Sequence, residues 1–392
     1  MSYQISVIGS GYVGYSLALS LAKNNRVKVL DIDKEKISKL NLGIPVIAEK
    51  YIEDYLKNNM LDIKASDDEK IILPNSDFIF ICTPTDYNIK LKQFDTSSIT
   101  SSIEKISSLN KKANVIIRST IPLGFIDQIQ AFYPNLKFIF MPEFLREGYS
   151  LFDAHHPSRI IFGHNNNHKL VENLKNIFNK AIIKKTKIIS MSSSDAESVK
   201  LFANSFLAMR VAFFNELDSF CSIKSLNSRN VIKGVSLDNR IGDYYNNPSF
   251  GFGGYCLPKD SNQLLSEFED IPQSLISAIV NSNTIRKKFI VKDILESNPR
   301  QIGIFRLVPK LSATNYRNSS MEDISLMLLK KNVKQLIFEP LIKNEEYKGI
   351  RVSNDINFFK KNCDLILSNR MYPELSDVSE KVYTKDIFES DL

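Results

Sequence analysis

The hydrophobic and polar positions in the first half of the chain alternate between short apolar runs and amphipathic stretches. The apolar runs lie at residues 5–8, 27–30, 78–82, 115–117, 138–140 and 159–163. A run that is apolar at successive positions is typical of a strand buried on both faces, and amphipathic helices between such strands cover a parallel sheet. The pattern therefore predicts an α/β domain with a parallel, doubly wound sheet, followed by a helix near 169–179.

A long helical pattern occupies residues 195–223, which contain neither proline nor glycine. A helix of this length is typical of a spine between domains or subunits. A loop rich in glycine, asparagine and aromatic residues follows at 240–256, and helical patterns resume over 259–297.

Strands return in the last part of the chain, at residues 301–307, 336–338 and 364–367. They predict a second, smaller α/β domain, which has no glycine-rich phosphate loop. We therefore expect two Rossmann-like doubly wound domains joined by a long central helix. The expected parts of the chain are 1–194, 195–297 and 298–392.

Composition narrows the classes of function. The 392 residues exceed one ordinary core, and a content of 43% hydrophobic and 24% charged residues is typical of a globular protein. The net charge of +7 is modest, and no stripe of basic and aromatic residues indicates nucleic-acid binding. The four cysteines and four histidines lack metal-ligand spacing. We therefore expect no metal, and no disulfide framework in so cysteine-poor a chain.

The apolar stretch at residues 5–22 resembles a targeting segment only superficially. It has no basic region before it, and Gly9, Gly11 and Gly14 interrupt any spanning helix. The sequence therefore favours neither a signal peptide nor a membrane anchor. We expect a cytoplasmic protein with no membrane partner.

The sequence VIGSGYVGYSLA places Gly9, Gly11 and Gly14 between a predicted strand and a predicted helix. In a dinucleotide-binding loop the first glycine makes a tight turn, the second lets the backbone approach a pyrophosphate, and the third allows close helix–strand packing. Asp31 ends the next strand, 20 residues after Gly11. An acid there can bind both adenosine ribose hydroxyls and repel a 2′-phosphate, which favours NAD over NADP. The alternative is an ordinary surface aspartate.

Polar segments follow three other predicted strands. CTPT at 82–85 and RSTIP at 118–122 lie at the carboxyl edge of the sheet, where such folds bind ligands. Ordinary turns also place proline after a strand, so both interpretations stay open. Glu143 and Glu147 follow a further strand, where they either position water or cap a helix.

The segment NNPSFGFGGYCLPKD at 246–260 combines three closely spaced glycines with Cys256. The glycines let the backbone come close to a ligand, and Pro258 can start a helix. A cysteine at a helix N-terminus, next to Lys259, has its thiolate favoured. The alternative is a small buried cysteine, which is the common fate of an unpaired cysteine.

Lys200 and Asn204 lie four residues apart in the long helical pattern, so they share one face of the helix. A cation and an amide side by side can stabilise an oxyanion. The alternative is an exposed lysine and an incidental asparagine.

Taken together, these motifs resemble the UDP-glucose/GDP-mannose dehydrogenase family. The resemblance covers essentially the whole chain, with the motifs in family order. The matching segments are SGYVGYS, CTPTDYN, RSTIPLGF, PEFLREG, HPSRIIFG, KLFANSFLAMRVAFFNELDS, RIGDYYNNPSFGFGGYCLPKD and NYRNSS. The chain departs from the family at Tyr15, where leucine is more familiar, and at Phe252, where tyrosine is common. Neither departure removes a proposed chemical role.

The resemblance implies NAD as the cofactor and UDP-glucose as the substrate, bound between the two α/β domains of each subunit of a homodimer. The implied NAD contacts are Gly9, Gly11, Val13, Gly14, Asp31, Lys36, Thr85, Thr120, Glu147 and Lys259. The implied substrate contacts are Glu143, Leu145, Arg146, Lys200, Asn204, Tyr245, Asn246, Ser249 and Gly253. The positions implied near the nucleotide are Lys310, Tyr316 and Arg317. Arg240 matches an arginine that reaches the substrate across the dimer interface.

The implied reaction is the four-electron oxidation of UDP-glucose to UDP-glucuronate. A first hydride transfer gives the C6 aldehyde, and Cys256 captures it as a thiohemiacetal. A second hydride transfer leaves a thioester that water hydrolyses. Lys200 and Asn204 would stabilise the oxyanions. The residues implied for protons and water are Asp260, Glu143 and Thr120. In bacteria with such enzymes, the product commonly feeds capsule or other surface polysaccharides.

Two other functions compete with this one. A GDP-mannose or UDP-N-acetylmannosamine dehydrogenase would share the cysteine chemistry, but the wording YYNNPSFGFGG and the 392-residue length favour UDP-glucose. A nucleotide-binding regulator without turnover would be expected to lack Cys256, Lys200 or Asp260, and the chain retains all three.

Overall fold

The structure is a computed structural model of the chain and describes residues 2–307 and 319–389. The chain divides into two compact units, Met1–Phe202 and Ala203–Leu392. The division falls within one long helix, Ser193–Ile223. The three parts expected from the sequence have boundaries elsewhere and stay a prediction.

The first unit contains a sheet, a small hairpin and the helices between their strands. Its strands are β1 Gln4–Ile8, β2 Arg26–Leu30, β3 Ile63–Ser66, β4 Phe78–Ile81, β5 Tyr87–Asn88, β6 Gln93–Phe94, β7 Asn114–Ile117, β8 Lys137–Phe140, β9 Ile160–Gly163 and β10 Ile188–Met191. Its helices are α1 Tyr12–Ala22, α2 Lys34–Asn41, α3 Lys50–Asn58, α4 Glu69–Ile72, α5 Ser97–Leu109, α6 Phe125–Phe132, α7 Ser150–His155 and α8 His168–Ala181. The long helix Ser193–Ile223, α9, continues into the second unit.

Six strands of the first sheet run parallel, in the order β3-β2-β1-β4-β7-β8. The sheet ends with β9 and β10, which pair parallel with each other, whereas β9 is antiparallel to β8. The predicted parallel sheet therefore has one antiparallel pairing, between β8 and β9. A fully buried apolar run looks the same whichever way the strand points, so the hydrophobic pattern could not predict the direction of β9.

Both faces of this sheet are covered, as the apolar runs predicted. Ile5 and Val7 of β1 pack into the apolar cluster on one face, with residues of α1 and α8. Ile8 at the end of the same strand packs into the cluster on the other face, with residues of α5 and α6. The central strands β1, β4, β7 and β8 are mostly buried as a result.

The second unit has a smaller sheet flanked by helices. Its strands are β11 Gln301–Phe305, β12 Lys334–Phe338, β13 Glu346–Tyr347, β14 Ile350–Val352, β15 Leu365–Ser368 and β16 Val382–Tyr383. Its helices are α10 Ser228–Ser236, α11 Cys256–Glu267, α12 Leu275–Glu296, α13 Ser320–Leu329 and α14 Ile356–Asn362, with a 3₁₀ helix at Pro373–Lys381.

The second sheet has the order β13-β14-β12-β11-β15-β16 and is parallel except where β13 meets β14. The predicted fold class, two Rossmann-like α/β domains with a long central helix, is confirmed. Across residues 2–307 and 319–389, no helix combines the length and the apolar character that a membrane crossing requires.

Candidate active site

The glycine loop after β1 has a different physical reason for each glycine. Gly9 has φ +89°, which favours glycine, and its N–H donates to the Leu30 carbonyl at 2.8 Å. A Cβ on Gly14 would lie 1.9 Å from the Gly9 carbonyl oxygen, so only glycine fits where α1 meets the loop. A Cβ on Gly11 would meet no described atom within 4 Å. The backbone at Gly11 is therefore accessible to a ligand.

The N-terminus of α1 is arranged to hold an anion. Gly11 is its N-cap and offers no side-chain hydrogen bond to the first helical N–H groups. Val13 is half-buried in the first turn of this helix. Backbone N–H groups and the helix dipole at such an end favour a phosphate, so these residues fit the pyrophosphate of a dinucleotide.

Asp31 lies just beyond β2 and is tied to the glycine loop. Its Oδ2 accepts hydrogen bonds from the Ser10 N–H at 2.6 Å and the Ser10 hydroxyl at 2.5 Å, and its Oδ1 accepts from the Asp33 N–H at 3.0 Å. Burial raises the pKa of Asp31, but these hydrogen bonds outweigh burial and leave the pKa below its ordinary value. The carboxylate is therefore charged and oriented at neutral pH, as a ribose ligand requires. Lys36 lies nearby in α2, with its Nζ 3.8 Å from Asp33.

The adjacent strands β4, β7 and β8 bring three predicted segments together at their carboxyl ends. The Thr85 hydroxyl donates to the Thr120 carbonyl at 2.8 Å, and both residues are buried. Cys82 and Glu143 both interact electrostatically with the buried Arg118 guanidinium. Sequence reasoning named the segment that contains Arg118 but gave this residue no role.

Lys200 is buried and forms an ion pair with Glu143. Its Nζ donates to the Glu143 carbonyl at 2.6 Å and to Oε1 at 2.8 Å, and the lysine side chain is 3% exposed. Burial raises the pKa of Glu143, but the charge and hydrogen bond of Lys200 and the Leu145 N–H bring it below its ordinary value. The alternative of an exposed lysine is therefore wrong, and the Glu143 carboxylate is favoured although both side chains are buried.

The Cys82 thiol is poorly suited to act as a nucleophile. Burial raises the pKa of its thiol to about 12, against the opposing charge of Arg118. At neutral pH such a thiol holds almost no thiolate.

The segment after Glu143 contains three of the predicted binding residues. Arg146 forms a bidentate pair with Asp153, from Nε at 3.0 Å and from Nη2 at 2.8 Å. The Leu145 N–H is taken by Glu143 Oε2 at 2.8 Å. Glu147 is half-buried in the same segment. Arg146 is thus held by Asp153, and only its remaining N–H donors could reach a substrate.

Cys256 is the first residue of α11 and is half-buried. Pro258 follows in the first turn, where its missing N–H leaves no intrahelical hydrogen bond unmade. The predicted helix start at this cysteine is confirmed. The Cys256 thiol therefore lies in the positive field of a helix N-terminus, which favours a thiolate.

Asp260 joins two predicted site residues one turn further along α11. Its Oδ1 accepts from Lys259 Nζ at 2.8 Å, and its Oδ2 accepts from Asn204 Nδ2 at 2.5 Å. All three side chains are buried. The Lys259 ammonium also lies 5.1 Å from the centre of the Tyr255 ring. The asparagine on α9 is therefore fixed in orientation rather than incidental.

The loop that leads to Cys256, residues 244–255, is here called the nucleophile loop, after the role that the sequence predicts for Cys256. Ser249 is its central anchor: its N–H donates to Asn215 Oδ1 at 2.8 Å, and its carbonyl accepts from Arg286 Nε at 3.0 Å. Arg286 in turn forms a buried ion pair with Asp218 at 2.6 Å. Sequence reasoning missed these three anchors. The available signal was the spacing of Asn215 and Asp218, which lie three residues apart and so share one face of α9.

Glycine geometry shapes the second half of the nucleophile loop. Gly251 has φ +142°, and an added Cβ would lie 2.5 Å from Asn283 Oδ1. Gly254 has φ +81°. The predicted ligand contact Gly253 is half-buried between them. The loop therefore takes a path that only glycine allows at two positions.

The remaining predicted substrate contacts have varied surroundings. Asn246 Nδ2 donates to the Ser236 hydroxyl at 2.9 Å, and Tyr245 has φ +53°. Arg240 is 89% exposed and pairs with Asp238 at 2.6 Å. The predicted nucleotide contacts Lys310, Tyr316 and Arg317 lie outside the described residues. Over the part of the chain that the structure describes, no cluster of His, Cys, Asp and Glu could hold a metal ion.

Comparison with known protein families gives two adjoining matches. Residues 3–182 match the NAD binding domain of the UDP-glucose/GDP-mannose dehydrogenase family. Residues 194–285 match the central domain of the same family. The first match contains the glycine loop and Asp31, and the second contains the nucleophile loop and Cys256.

Similar proteins cover the whole chain. The UDP-glucose 6-dehydrogenase of Campylobacter jejuni is 46% identical, over 99% of this chain and 100% of its own length. The enzyme of the same name from Streptococcus pneumoniae is 39% identical, over 98% and 99% of the two chains. Among solved structures, a UDP-glucose dehydrogenase from Pyrobaculum islandicum has a TM-score of 0.87 at 22% identity, over 99% of this chain and 95% of its own. A UDP-D-ManNAc dehydrogenase from Pyrococcus horikoshii has a TM-score of 0.83 at 23% identity, over 97% and 93%. At such identities the two structures show the shared fold.

Proposed function

The chain belongs to the UDP-glucose/GDP-mannose dehydrogenase family, and on that premise we propose that it oxidises UDP-glucose to UDP-glucuronate with NAD as the oxidant. The main support for UDP-glucose as the substrate is the end-to-end match to relatives named UDP-glucose 6-dehydrogenase. The relative named for a different UDP-sugar is similar at the level of fold alone. The half-buried thiol at the start of α11 supports the chemistry.

NAD would bind at the glycine loop and accept a hydride in each of the two oxidations. Gly9, Gly11 and Gly14 fit its pyrophosphate and Asp31 fits its adenosine ribose, as their geometry supports. The further proposed NAD contacts are Val13, Lys36, Thr85, Thr120, Glu147 and Lys259.

Cys256 is the proposed nucleophile. Its thiolate attacks the C6 aldehyde left by the first oxidation and forms a carbon–sulfur bond, which gives a thiohemiacetal. The second oxidation converts this adduct to a thioester. Water then breaks the carbon–sulfur bond, which releases UDP-glucuronate and regenerates the thiolate. Because a disulfide at Cys256 would block this chemistry, we further propose that the protein works in a reducing compartment, the cytoplasm.

Lys200 and Asn204 are the proposed oxyanion donors. Each is held by a carboxylate, Lys200 by Glu143 and Asn204 by Asp260, so neither must reorient during the reaction. Removal of one such donor typically lowers the rate about 10²- to 10³-fold. Glu143 and Asp260 also have carboxylate oxygens that can orient water for thioester hydrolysis, with Thr120 assisting.

A homodimer is the proposed assembly, with Arg240 reaching the partner's substrate. Phe206, Phe213 and Phe220 on α9 are each more than half exposed and recur at intervals of seven residues, so they share one face of the helix. Exposed apolar patches of this kind mark interaction surfaces. The 89% exposure of Arg240 supports its availability to a partner.

The decisive experiment is the stoichiometry of the reaction. Limiting UDP-glucose is incubated with excess NAD, and NADH is measured by absorbance while products are separated by chromatography. We expect two NADH per UDP-glucose and UDP-glucuronate as the product. One NADH with accumulation of an aldehyde would contradict the covalent four-electron mechanism. Preferential turnover of GDP-mannose or UDP-N-acetylmannosamine in parallel reactions would contradict the substrate.

The variant Cys256→Ser tests the nucleophile in the same assay. We expect net turnover to be nearly abolished, because a serine hydroxyl lacks thiolate reactivity, while the affinity for NAD stays close to wild type. Wild-type turnover in this variant would show that Cys256 is structural.

A further inference from the structure

Residues 384–389, here called the 384–389 segment, contact the nucleophile loop through Asn247. Asn247 Nδ2 donates to Asp386 Oδ1 at 2.6 Å. Asn247 Oδ1 accepts from the Ile387 N–H at 3.0 Å and from the Phe388 N–H at 3.4 Å. One buried amide therefore joins the loop to three consecutive residues that lie 139 to 141 positions away in sequence.

The 384–389 segment is itself tied to the body of the second unit. Arg370 Nη1 lies 3.4 Å from Asp386 Oδ1, and the Asp386 side chain is 1% exposed. Arg229 of α10 donates to the Ile387 carbonyl, and its guanidinium lies 5.6 Å from the centre of the Phe388 ring. These contacts come from separate elements, so the segment is a fixed point to which the loop can be attached.

A second contact joins the same parts of the chain. The Tyr383 ring, at the end of β16, stacks on Phe250 of the nucleophile loop, with centroids 5.8 Å apart and an interplanar angle of 6°. The Tyr383 hydroxyl donates to Asp293 of α12, and Lys385 Nζ lies 3.4 Å from the same carboxylate. The loop is thus contacted at both Asn247 and Phe250 from one side.

The nucleophile loop needs such attachment because of its own composition. Gly251 and Gly254 take backbone conformations that favour glycine, and each glycine adds conformational freedom that folding must remove. Asn247 directly follows Tyr245 and Asn246, which are proposed substrate contacts. An anchor at Asn247 therefore acts on the substrate contacts and, further along the same loop, on Cys256.

We propose that Asp386 is a positioning residue for this enzyme, which holds the nucleophile loop in its reactive arrangement through its hydrogen bond to Asn247. The expected effect on kinetics rests on the proposed function. The attachment of the loop to Asp386 does not rest on it. Asp386 touches no proposed reacting atom, so it acts on Cys256 and the substrate contacts only through the loop.

The test compares variants that break and restore this hydrogen bond. Asp386→Ala removes the acceptor. Asn247→Asp places a second carboxylate against Asp386 and should lower activity more than Asp386→Ala does. The exchange variant combines Asn247→Asp with Asp386→Asn and restores a carboxylate–amide pair with donor and acceptor interchanged. The new carboxylate at position 247 can still accept hydrogen bonds from the N–H groups of Ile387 and Phe388. Asp377→Ala is the matched control, since Asp377 lies nearby in sequence on the surface and pairs only with Lys360 among described residues, at 2.6 Å.

Four readouts are measured on each full-length variant: kcat/KM for UDP-glucose, NAD affinity, the alkylation rate of Cys256 and the melting temperature. We expect Asp386→Ala to lower kcat/KM for UDP-glucose by about 10- to 100-fold, as suits the loss of a hydrogen bond to a charged group, with NAD affinity unchanged. We expect iodoacetamide to alkylate Cys256 several-fold faster, because a loosened loop exposes it. Peptide mass spectrometry assigns the site. The half-buried Cys82 and the buried Cys363 react slowly, because desolvation raises the pKa of each thiol to about 12. The exchange variant should return both kinetic values toward wild type.

Wild-type kinetics and alkylation in Asp386→Ala would overturn the proposal. A loss of activity that tracks the melting temperature and that the exchange does not restore would also overturn it, because the residue would then be merely structural. If Asp386→Ala fails to fold, the comparison of Asn247→Asp with the exchange variant decides. If the wild-type protein does not oxidise UDP-glucose, the proposed function fails, and the alkylation rates still decide on the attachment.

Discussion

Two glycines of the same loop are needed for different reasons, one for folding and the other for ligand binding. Gly14 is required by the protein itself, because a Cβ there would lie 1.9 Å from the Gly9 carbonyl oxygen. Gly11 has open space around it and a φ of −65°, which alanine adopts without strain. Only a ligand gives Gly11 a reason to be glycine.

The variants Gly14→Ala and Gly11→Ala should therefore fail in different ways. We expect Gly14→Ala to destabilise the first unit by about 1–3 kcal/mol, since the loop must shift, which calorimetry without ligand measures as a lower melting temperature. We expect Gly11→Ala to melt like wild type but to bind NAD at least about tenfold more weakly, by titration calorimetry. Equal NAD affinity in Gly11→Ala and wild type would count against the cofactor site.

At the same scale, the sequence predicted single residues better than their partners. Asp31 and Cys256 were found from local signals, because residues close by in sequence mark the end of a strand and the start of a helix. The bond between Asn204 and Asp260 spans 56 positions, and that between Lys200 and Glu143 spans 57. Such pairs depend on which elements pack together, and hydrophobic periodicity does not contain that information.

At the scale of elements, buried strands were predicted and exposed strands of the same length were missed. β4 and β7 are continuous apolar runs and were found directly. β3 and β10 are four-residue strands with mostly exposed or half-buried side chains, so no apolar run marks them. The length of α9 followed from its lack of proline and glycine. The direction of β9 did not follow from any pattern.

The packing of α7 against α3 contains a buried histidine that titrates abnormally. His155, at the end of α7, lies with its Nδ1 3.2 Å from the Tyr51 hydroxyl and its ring 4.9 Å from that of Tyr55. Burial, together with the charges of His156 and Lys23, lowers its pKa from 6.5 to about 4. The folded unit therefore favours the neutral imidazole.

Stability should fall with acidity because of this histidine. Between pH 6.5 and about 4 the unfolded chain binds the proton and the folded chain does not, so the free energy of unfolding decreases as pH falls through that window, by up to about 3 kcal/mol. Urea unfolding at a series of pH values measures the slope. We expect His155→Gln to flatten it in this window. Tyr51→Phe is the control, since it keeps the histidine buried and should keep the slope. An unchanged slope in His155→Gln would contradict the assignment.

At the scale of the whole molecule, the proposed homodimer predicts that activity depends on assembly. The proposed dimer uses the exposed phenylalanines of α9, and Arg240 would then serve the partner's substrate. Activity and oligomeric state should therefore be linked. A monomeric form would retain its NAD site, because the first unit contains the glycine loop and Asp31.

The variant Phe213→Asp places a charge in the middle of this apolar face. We expect it to elute as a monomer in size-exclusion chromatography with light scattering, and to lose most UDP-glucose oxidation while it still binds NAD. Phe132→Asp is the matched control, because Phe132 is also an exposed aromatic, 76% accessible, at the end of α6. A Phe213→Asp protein that remains dimeric would place the interface elsewhere.

The attachment of the nucleophile loop to Asp386 also has a consequence in time. A ribosome adds residues from the N-terminus onward, so Asn247 emerges before the residue that anchors it. The ribosome must add 139 residues after Asn247 to reach Asp386, which takes roughly 7 to 30 seconds at about 5–20 residues per second. During that interval the growing chain already contains Cys256 but not the partner of Asn247. The thiol is therefore present before the proposed anchor can orient it, and a nascent chain is expected to react with alkylating agents more readily than the finished protein.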